Sequence, residues 1–169
     1  MALSSKLALV TGSTSGIGLG IAKILAGRGC DIVLNGFGSS NDIETLIKGM
    51  ADTYKVKVFF DDADLMKVDQ IEKMMGNKHR DKIEILVNNA GIQHVANVDE
   101  FPVDKWNDII ALNLNAVFHT SRLALPSMKK NNFGRIINIA SVHGLVGSAG
   151  KSAYVAAKHG VVGLTKVSK

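Results

Sequence analysis

The chain has a single cysteine, Cys30, which excludes an internal disulfide and leaves no spaced partners for a zinc site. Its neighbours Gly29, Asp31 and Ile32 suit a small buried hydrophobe, so no metal is expected. No apolar run approaches the ~18 residues that cross a membrane. The sequence passes from Met1 almost directly into a strand pattern, so neither a signal nor a transit peptide is expected. Basic residues form no block longer than Lys129-Lys130. The formal charge of +5 therefore reads as solubility and mild attraction to anionic metabolites, and no nucleic-acid surface is expected. Repeats, low-complexity tracts and linkers are absent. These absences point to a cytoplasmic, reduced protein.

What is present is ordinary for a globular chain: 169 residues, 46% apolar and 21% charged. That length predicts one domain, 1–169, able to bury a sizeable core. Short apolar runs at 7–10, 31–34, 56–60, 83–87 and 136–139 predict strands buried on both faces. Between them apolar residues recur at helical spacing. Asn41 with Glu44 resembles a capping box opening the second helix. Pro102 is expected in the first turn of a long helix, which Pro126 should kink or bring to its last turn. Such alternation predicts an α/β protein, a Rossmann-like doubly wound parallel sheet of about five strands.

Ligands bind such sheets beyond the carboxyl ends of the strands, where strand order reverses. After the first strand comes Thr11-Gly12-Ser13-Thr14-Ser15-Gly16-Ile17-Gly18. Glycines there let backbone approach a pyrophosphate, and the helix amino end supplies N–H groups and a positive dipole. Tight turns in proteins that bind no nucleotide use glycine too. After the second strand, Asn35-Gly36-Phe37-Gly38 offers neither the acid that usually holds the ribose of NAD nor an arginine for a 2′-phosphate. The missing cation favours NAD. Asp64-Leu65, after the third strand, has two open readings: a reach to the adenine, or a helix-capping aspartate.

The segment Ser141–Lys158 holds the chemistry. On a helix, Tyr154 and Lys158 lie one turn apart on one face. An ammonium beside a phenol favours the phenolate and pulls its pKa down from about 10. That makes an acid–base group for neutral pH.

Thr11–Gly18, Asn88-Asn89-Ala90-Gly91, Asn113, Ser141 and Tyr154-x-x-x-Lys158 together resemble the short-chain dehydrogenase/reductase superfamily. The likeness runs from about Lys6 to the end of the chain. Gly91-Ile92-Gln93-His94, Ser141-Val142-His143-Gly144 and Lys151-Ser152-Ala153-Tyr154 are most similar to its members that act on 3-hydroxybutyrate. The resemblance implies hydride transfer between NAD and that acid, giving acetoacetate. It implies a catalytic set of Asn113, Ser141, Tyr154 and Lys158. Cofactor contacts would come from Gly12, Thr14, Ser15, Gly16, Ile17, Gly18, Phe37, Asp64, Leu65, Asn89, Ala90 and Gly91, with Tyr154 and Lys158. Gln93, Ser141, His143, Lys151 and Tyr154 would line the substrate pocket, Lys151 facing the carboxylate. Asn113 would distort its helix and hold a water relaying protons to Lys158. Its alternative is an exposed helix residue.

Members of the superfamily continue through further strands and a substrate-covering segment beyond the last helical pattern, which here runs to Lys169. The stretch between Leu65 and Ile85 also looks compact for the family. Without further strands, the fifth strand is expected to keep an open edge. Two readings follow: an active NAD-dependent 3-hydroxy-acid dehydrogenase, or an inactive nucleotide-binding or dimer-forming fold. A 3-oxoacyl reductase is the nearest rival enzyme, and Lys151 and His143 speak against it. The resemblance also implies a homo-oligomer built on the helices around Pro126 and the chain end.

Overall fold

The computed structural model describes residues 3–76 and 83–167. The expected helix end at Lys169, and residues 77–82 of the stretch expected to be compact, lie outside the described residues. The element order is β1 (Leu7–Val10), α1 (Gly16–Gly27), β2 (Asp31–Asn35), α2 (Ser40–Tyr54), β3 (Val58–Asp61), α3 (Val68–Gly76), β4 (Ile83–Asn88), α4 (Val103–Ile110), α5 (Ala116–Lys130), β5 (Arg135–Asn138) and α6 (Ser152–Val167). A π turn, Ala111–Asn115, joins α4 to α5, and a 3-10 turn, Val142–Gly144, follows β5.

All five strands are parallel, in the order β3-β2-β1-β4-β5. This is the Rossmann-like sheet the alternation predicted. Strand side chains alternate between faces, and the continuous apolar runs supply both. Leu7, Leu9, Val33 and Leu86 pack with Ile71, Met75, Leu123 and Ala124 of α3 and α5. Ala8, Val10, Ile32, Leu34, Ile85 and Val87 pack on the opposite face with Ala22 and Ala26 of α1 and Met50 of α2. Cys30 is fully buried in that second cluster.

The β1–β4 pairing shifts once: Leu7 pairs with Ile83, but Ala8 pairs with Ile85. Glu84 is the extra residue, and its carboxylate accepts a hydrogen bond from Lys6 Nζ at 2.6 Å. Order reverses between β1 and β4, so the loops after these two strands flank the switch point where ligands collect.

Three local expectations need correction. The cap of α2 is Ser39, not Asn41: its Oγ accepts from the Asp42 N–H at 3.2 Å and donates to Asp42 Oδ2 at 2.7 Å. That reciprocal pair starts the helix earlier than the Asn41/Glu44 spacing suggested. The third strand begins at Val58 rather than Val56, because Lys55 closes α2 in the left-handed region at φ 57°. Pro102 caps α4 from outside the helix, whereas Pro126 opens the last turn of α5, which ends at Lys130, as expected. Among the described residues β5 pairs only with β4, leaving its other edge open.

Leu86 is fully buried between β1 and α5 neighbours. Leu86→Ala should cost about 2–5 kcal/mol in urea denaturation; a loss below 1 kcal/mol, on the same scale, would contradict this packing.

Candidate active site

The loop after β1 is glycine-rich for three different reasons. Gly12 has φ +59°, and a Cβ there would lie 2.9 Å from Ala90 Cα. Gly18 allows direct contact between α1 and its own loop: a Cβ would stand 2.2 Å from the Gly12 carbonyl oxygen. Gly16 has φ +56° with nothing within 4 Å of the Cβ position. Ser15 makes no side-chain cap, and no acid stands in the first turn of α1. An uncapped helix amino end beneath open space fits a pyrophosphate. Ser15 and Ile17 are exposed beside it.

Buried polar side chains fix this loop. Thr11 Oγ1 accepts from the N–H groups of Asn89 and Ala90, at 2.9 and 3.1 Å. Asn89 Nδ2 donates back to the carbonyls of Thr11 and Gly12, at 2.9 and 3.1 Å. Ser13 Oγ donates to the Val10 carbonyl at 2.6 Å, and the Gly12 N–H reaches Asn35 Oδ1 at 3.4 Å. Thr11, Ser13 and Asn35 belong to the loops named in the sequence but were given no role of their own. Their only signal is a polar residue at the end of an apolar strand. The Asn89 side chain thus braces the cradle; Gly91 is exposed beside it.

At the far end of the cradle Phe37 is largely exposed. Asp64 is held in its own turn: Oδ1 accepts from the Met66 N–H at 3.0 Å, and Lys67 lies 3.6 Å from Oδ2. That closes a local turn ahead of α3, with no bond to an N–H of the helix itself among the described residues. Leu65 is a core residue packed with Ile71 and Leu86.

Ser141 caps the 3-10 turn, its Oγ accepting from the His143 N–H at 3.2 Å. The His143 ring meets Tyr154 edge-on, with centroids 6.1 Å apart. Lys158 is buried, its Nζ 5.6 Å from the centre of the Tyr154 ring and donating to the Ile139 carbonyl at 2.6 Å. Burial lowers its pKa from the ordinary 10.5. Asn113 lies in the π turn, so the expected helix distortion is present, but the residue is buried rather than exposed. Its Oδ1 accepts from the Ile92 N–H, and its Nδ2 donates to the Ile92 carbonyl, both at 2.9 Å. The side chain is therefore tied to the loop after β4.

Gln93 is exposed on that loop and Lys151 half-buried before α6. The Ala96 N–H donates to the Gly150 carbonyl at 2.9 Å, drawing the two loops together. His143 Nδ1 and Ser152 Oγ are buried without a hydrogen-bond partner among the described residues. No cluster of three metal-ligating side chains occurs among the described residues.

Residues 6–169 match the short chain dehydrogenase family, and the chain belongs to it. Within that family it is 56% identical over 168 residues to a D-beta-hydroxybutyrate dehydrogenase of Cupriavidus necator. It is 53% identical over 165 residues to one of Rhizobium meliloti. The alignments cover 98% and 96% of this chain, but only 64% of the length of each relative. A metagenomic short-chain oxidoreductase solved with NADP superposes with a TM-score of 0.90 at 29% identity, over 98% of this chain and 76% of that one.

Two measurements test this geometry. Gly18→Ala should destabilise by about 1–3 kcal/mol through overlap with backbone, more than Gly16→Ala, where only φ is strained; equal melting shifts would refute it. Below its lowered folded pKa, Lys158 is charged in both folded and unfolded chains, and the burial penalty is present in full. Between that value and 10.5 the unfolded chain binds more protons, so stability rises with pH. Relative to Lys158→Met, the parent should gain stability as pH climbs toward 10.5. A flat or falling difference would contradict the burial of the charge.

Proposed function

We propose that this chain binds NAD and interconverts (R)-3-hydroxybutyrate and acetoacetate. The observation that carries the proposal is the Tyr154–Lys158 pair, with the His143 ring edge-on to Tyr154 and Ser141 Oγ bonded to the His143 N–H. The two D-beta-hydroxybutyrate dehydrogenases support it by sharing more than half of the aligned residues. A 3-oxoacyl reductase would have no carboxylate for Lys151 to meet.

The glycine loop and the amino end of α1 hold the pyrophosphate, and Lys158 holds the nicotinamide ribose. The nicotinamide supplies a hydride acceptor or donor. Tyr154 takes the substrate hydroxyl proton on its phenolate oxygen and returns it in the reverse direction. Lys158 holds a positive charge 5.6 Å from the centre of the Tyr154 ring. Ser141 Oγ donates to the substrate oxygen as charge develops there. Its acceptor contact with the His143 N–H leaves the hydroxyl proton available. Asn113 locks the Ile92 backbone, which aims Gln93 toward the pocket. Lys151 and His143 take the substrate carboxylate.

The partner is a second copy of the chain. Phe118, Leu125, Pro126 and Leu164 line a groove of about 480 Å³ between α5 and α6, the surface used for self-association. No helix among the described residues is long and apolar enough to cross a membrane, and the cytoplasm is the proposed location.

Nicotinamide absorbance with D-3-hydroxybutyrate and purified chain tests the activity. Tyr154→Phe should lower turnover by about 100-fold or more; retained turnover refutes the assigned base. Lys151→Ala should raise KM for the acid about tenfold with kcat nearly unchanged, and an unchanged KM removes Lys151 from the pocket. Cofactor binding without turnover in the parent chain would favour the inactive fold. A monomer by light scattering would contradict the α5/α6 surface.

A further inference from the structure

The loop between β5 and α6 meets Lys158 at two points. At its start the Ile139 carbonyl accepts from Lys158 Nζ at 2.6 Å. The Ile139 N–H is itself tied to the sheet, donating to the Asn88 carbonyl at 2.9 Å. At the 3-10 turn, Gly144 is buried against the same lysine. A Cβ there would lie 2.9 Å from the Lys158 carbonyl oxygen and 2.8 Å from Val162 Cγ2. Carbons in contact sit about 3.5–4.0 Å apart, so no side chain fits between the turn and α6. Gly144 does not have a positive φ, and space alone requires glycine at this position.

The turn is one hydrogen-bonded unit. The Gly144 N–H donates to the Ser141 carbonyl at 2.9 Å, and the His143 N–H donates to Ser141 Oγ at 3.2 Å. Ser141 and His143 therefore move with Gly144. On the helix side, Tyr154 lies one turn before Lys158 on the same face, its ring centre 5.6 Å from Lys158 Nζ. Tyr154 therefore moves with Lys158.

We propose that Gly144 is a positioning residue, seating Lys158 against Ile139 and setting the distance between the Ser141–His143 turn and Tyr154. The inference rests on the reading that Ser141, Tyr154 and Lys158 act on one substrate. A methyl group at this position forces the two backbones apart. It opens the gap between Ser141 and Tyr154 and lifts Lys158 Nζ from the Ile139 carbonyl. Misplacing reacting groups by about 1 Å can cost about 100-fold in rate.

Gly147, exposed further along the same loop with nothing within 4 Å of its Cβ position, supplies the control. Carbon-13 NMR titration of the lysine ε-carbons in the full chain reads the seat of Lys158 without requiring turnover, its signal assigned by loss in Lys158→Met. Burial alone holds the Lys158 pKa of the parent below 10.5. Gly144→Ala should return it toward 10.5 as water reaches Nζ, and Gly147→Ala should leave it at the parent value. Gly144→Ala/Val162→Ala removes the overlap with Val162, so its Lys158 should titrate between the parent and Gly144→Ala. With D-3-hydroxybutyrate and NAD, Gly144→Ala should lower kcat about 10- to 100-fold with NAD affinity unchanged. A folded Gly144→Ala chain whose Lys158 titrates as in the parent overturns the proposal, as does an equal shift in Gly147→Ala. Failure of both Gly144 variants to fold overturns it too, since glycine would then serve the fold rather than the spacing. A parent without turnover removes the catalytic reading, and the Lys158 titration still decides the proposal.

Discussion

The structure depends on a small clasp of hydrogen bonds at the point where strand order reverses. Parallel strands end in loops whose backbone groups have lost their ladder partners, and the two loops at the reversal must be tied to something. Thr11 and Asn89 tie them to each other, the hydroxyl accepting from one loop and the amide donating to the other. Asn35 joins the same assembly from β2 through the Gly12 N–H. The turn with two left-handed glycines is thereby braced before any ligand arrives. A preorganised cradle avoids ordering cost on binding.

A second clasp does comparable work for the chemistry. Asn113 replaces the missing backbone partners of Ile92 with both ends of one amide. On the other side of the cleft, Lys158 gives its proton donor to the Ile139 carbonyl, just past β5. The loop after β4, the strand end after β5 and the helix bearing Tyr154 are thus set by side chains that never need to touch a substrate. A buried amide left half-satisfied would cost more than the bond contributes, which keeps such arrangements all-or-none.

Much of this was legible in the chain. Apolar runs alternating with helical periods name the sheet, and glycine between the first strand and first helix names the cradle. Tyr154 and Lys158 declare themselves by spacing alone. What stayed hidden were contacts between distant residues. A threonine at a strand end looks the same whether it faces water or a second loop, so the partner of Thr11 was not legible. Ser39, Ser40 and Asn41 are all plausible caps, and only the Asp42 carboxylate decides among them. Asp64 read equally well as a ligand or a cap, and its bond to the Met66 N–H is a third thing, a turn ahead of the helix. At Gly36, in the loop where the ribose acid was sought, a Cβ would stand 2.9 Å from Thr14 Oγ1, a contact between loops that spacing does not reveal.

The π turn at Ala111–Asn115 has a consequence for how such a chain can change. An α-helix advances about 100° per residue, so one extra residue re-aims everything before it relative to everything after. Before the turn, Ile109 faces Ala153 and Ala157 of α6; after it, Ala116, Leu123 and Ala124 face the sheet. One continuous rod thereby serves two partners, α6 before the turn and the sheet after it. Substitutions along it are a matter of fit and can be absorbed singly. Loss of one residue at the turn would swing a whole face into water. At this turn the heritable quantity is length, and only secondarily composition.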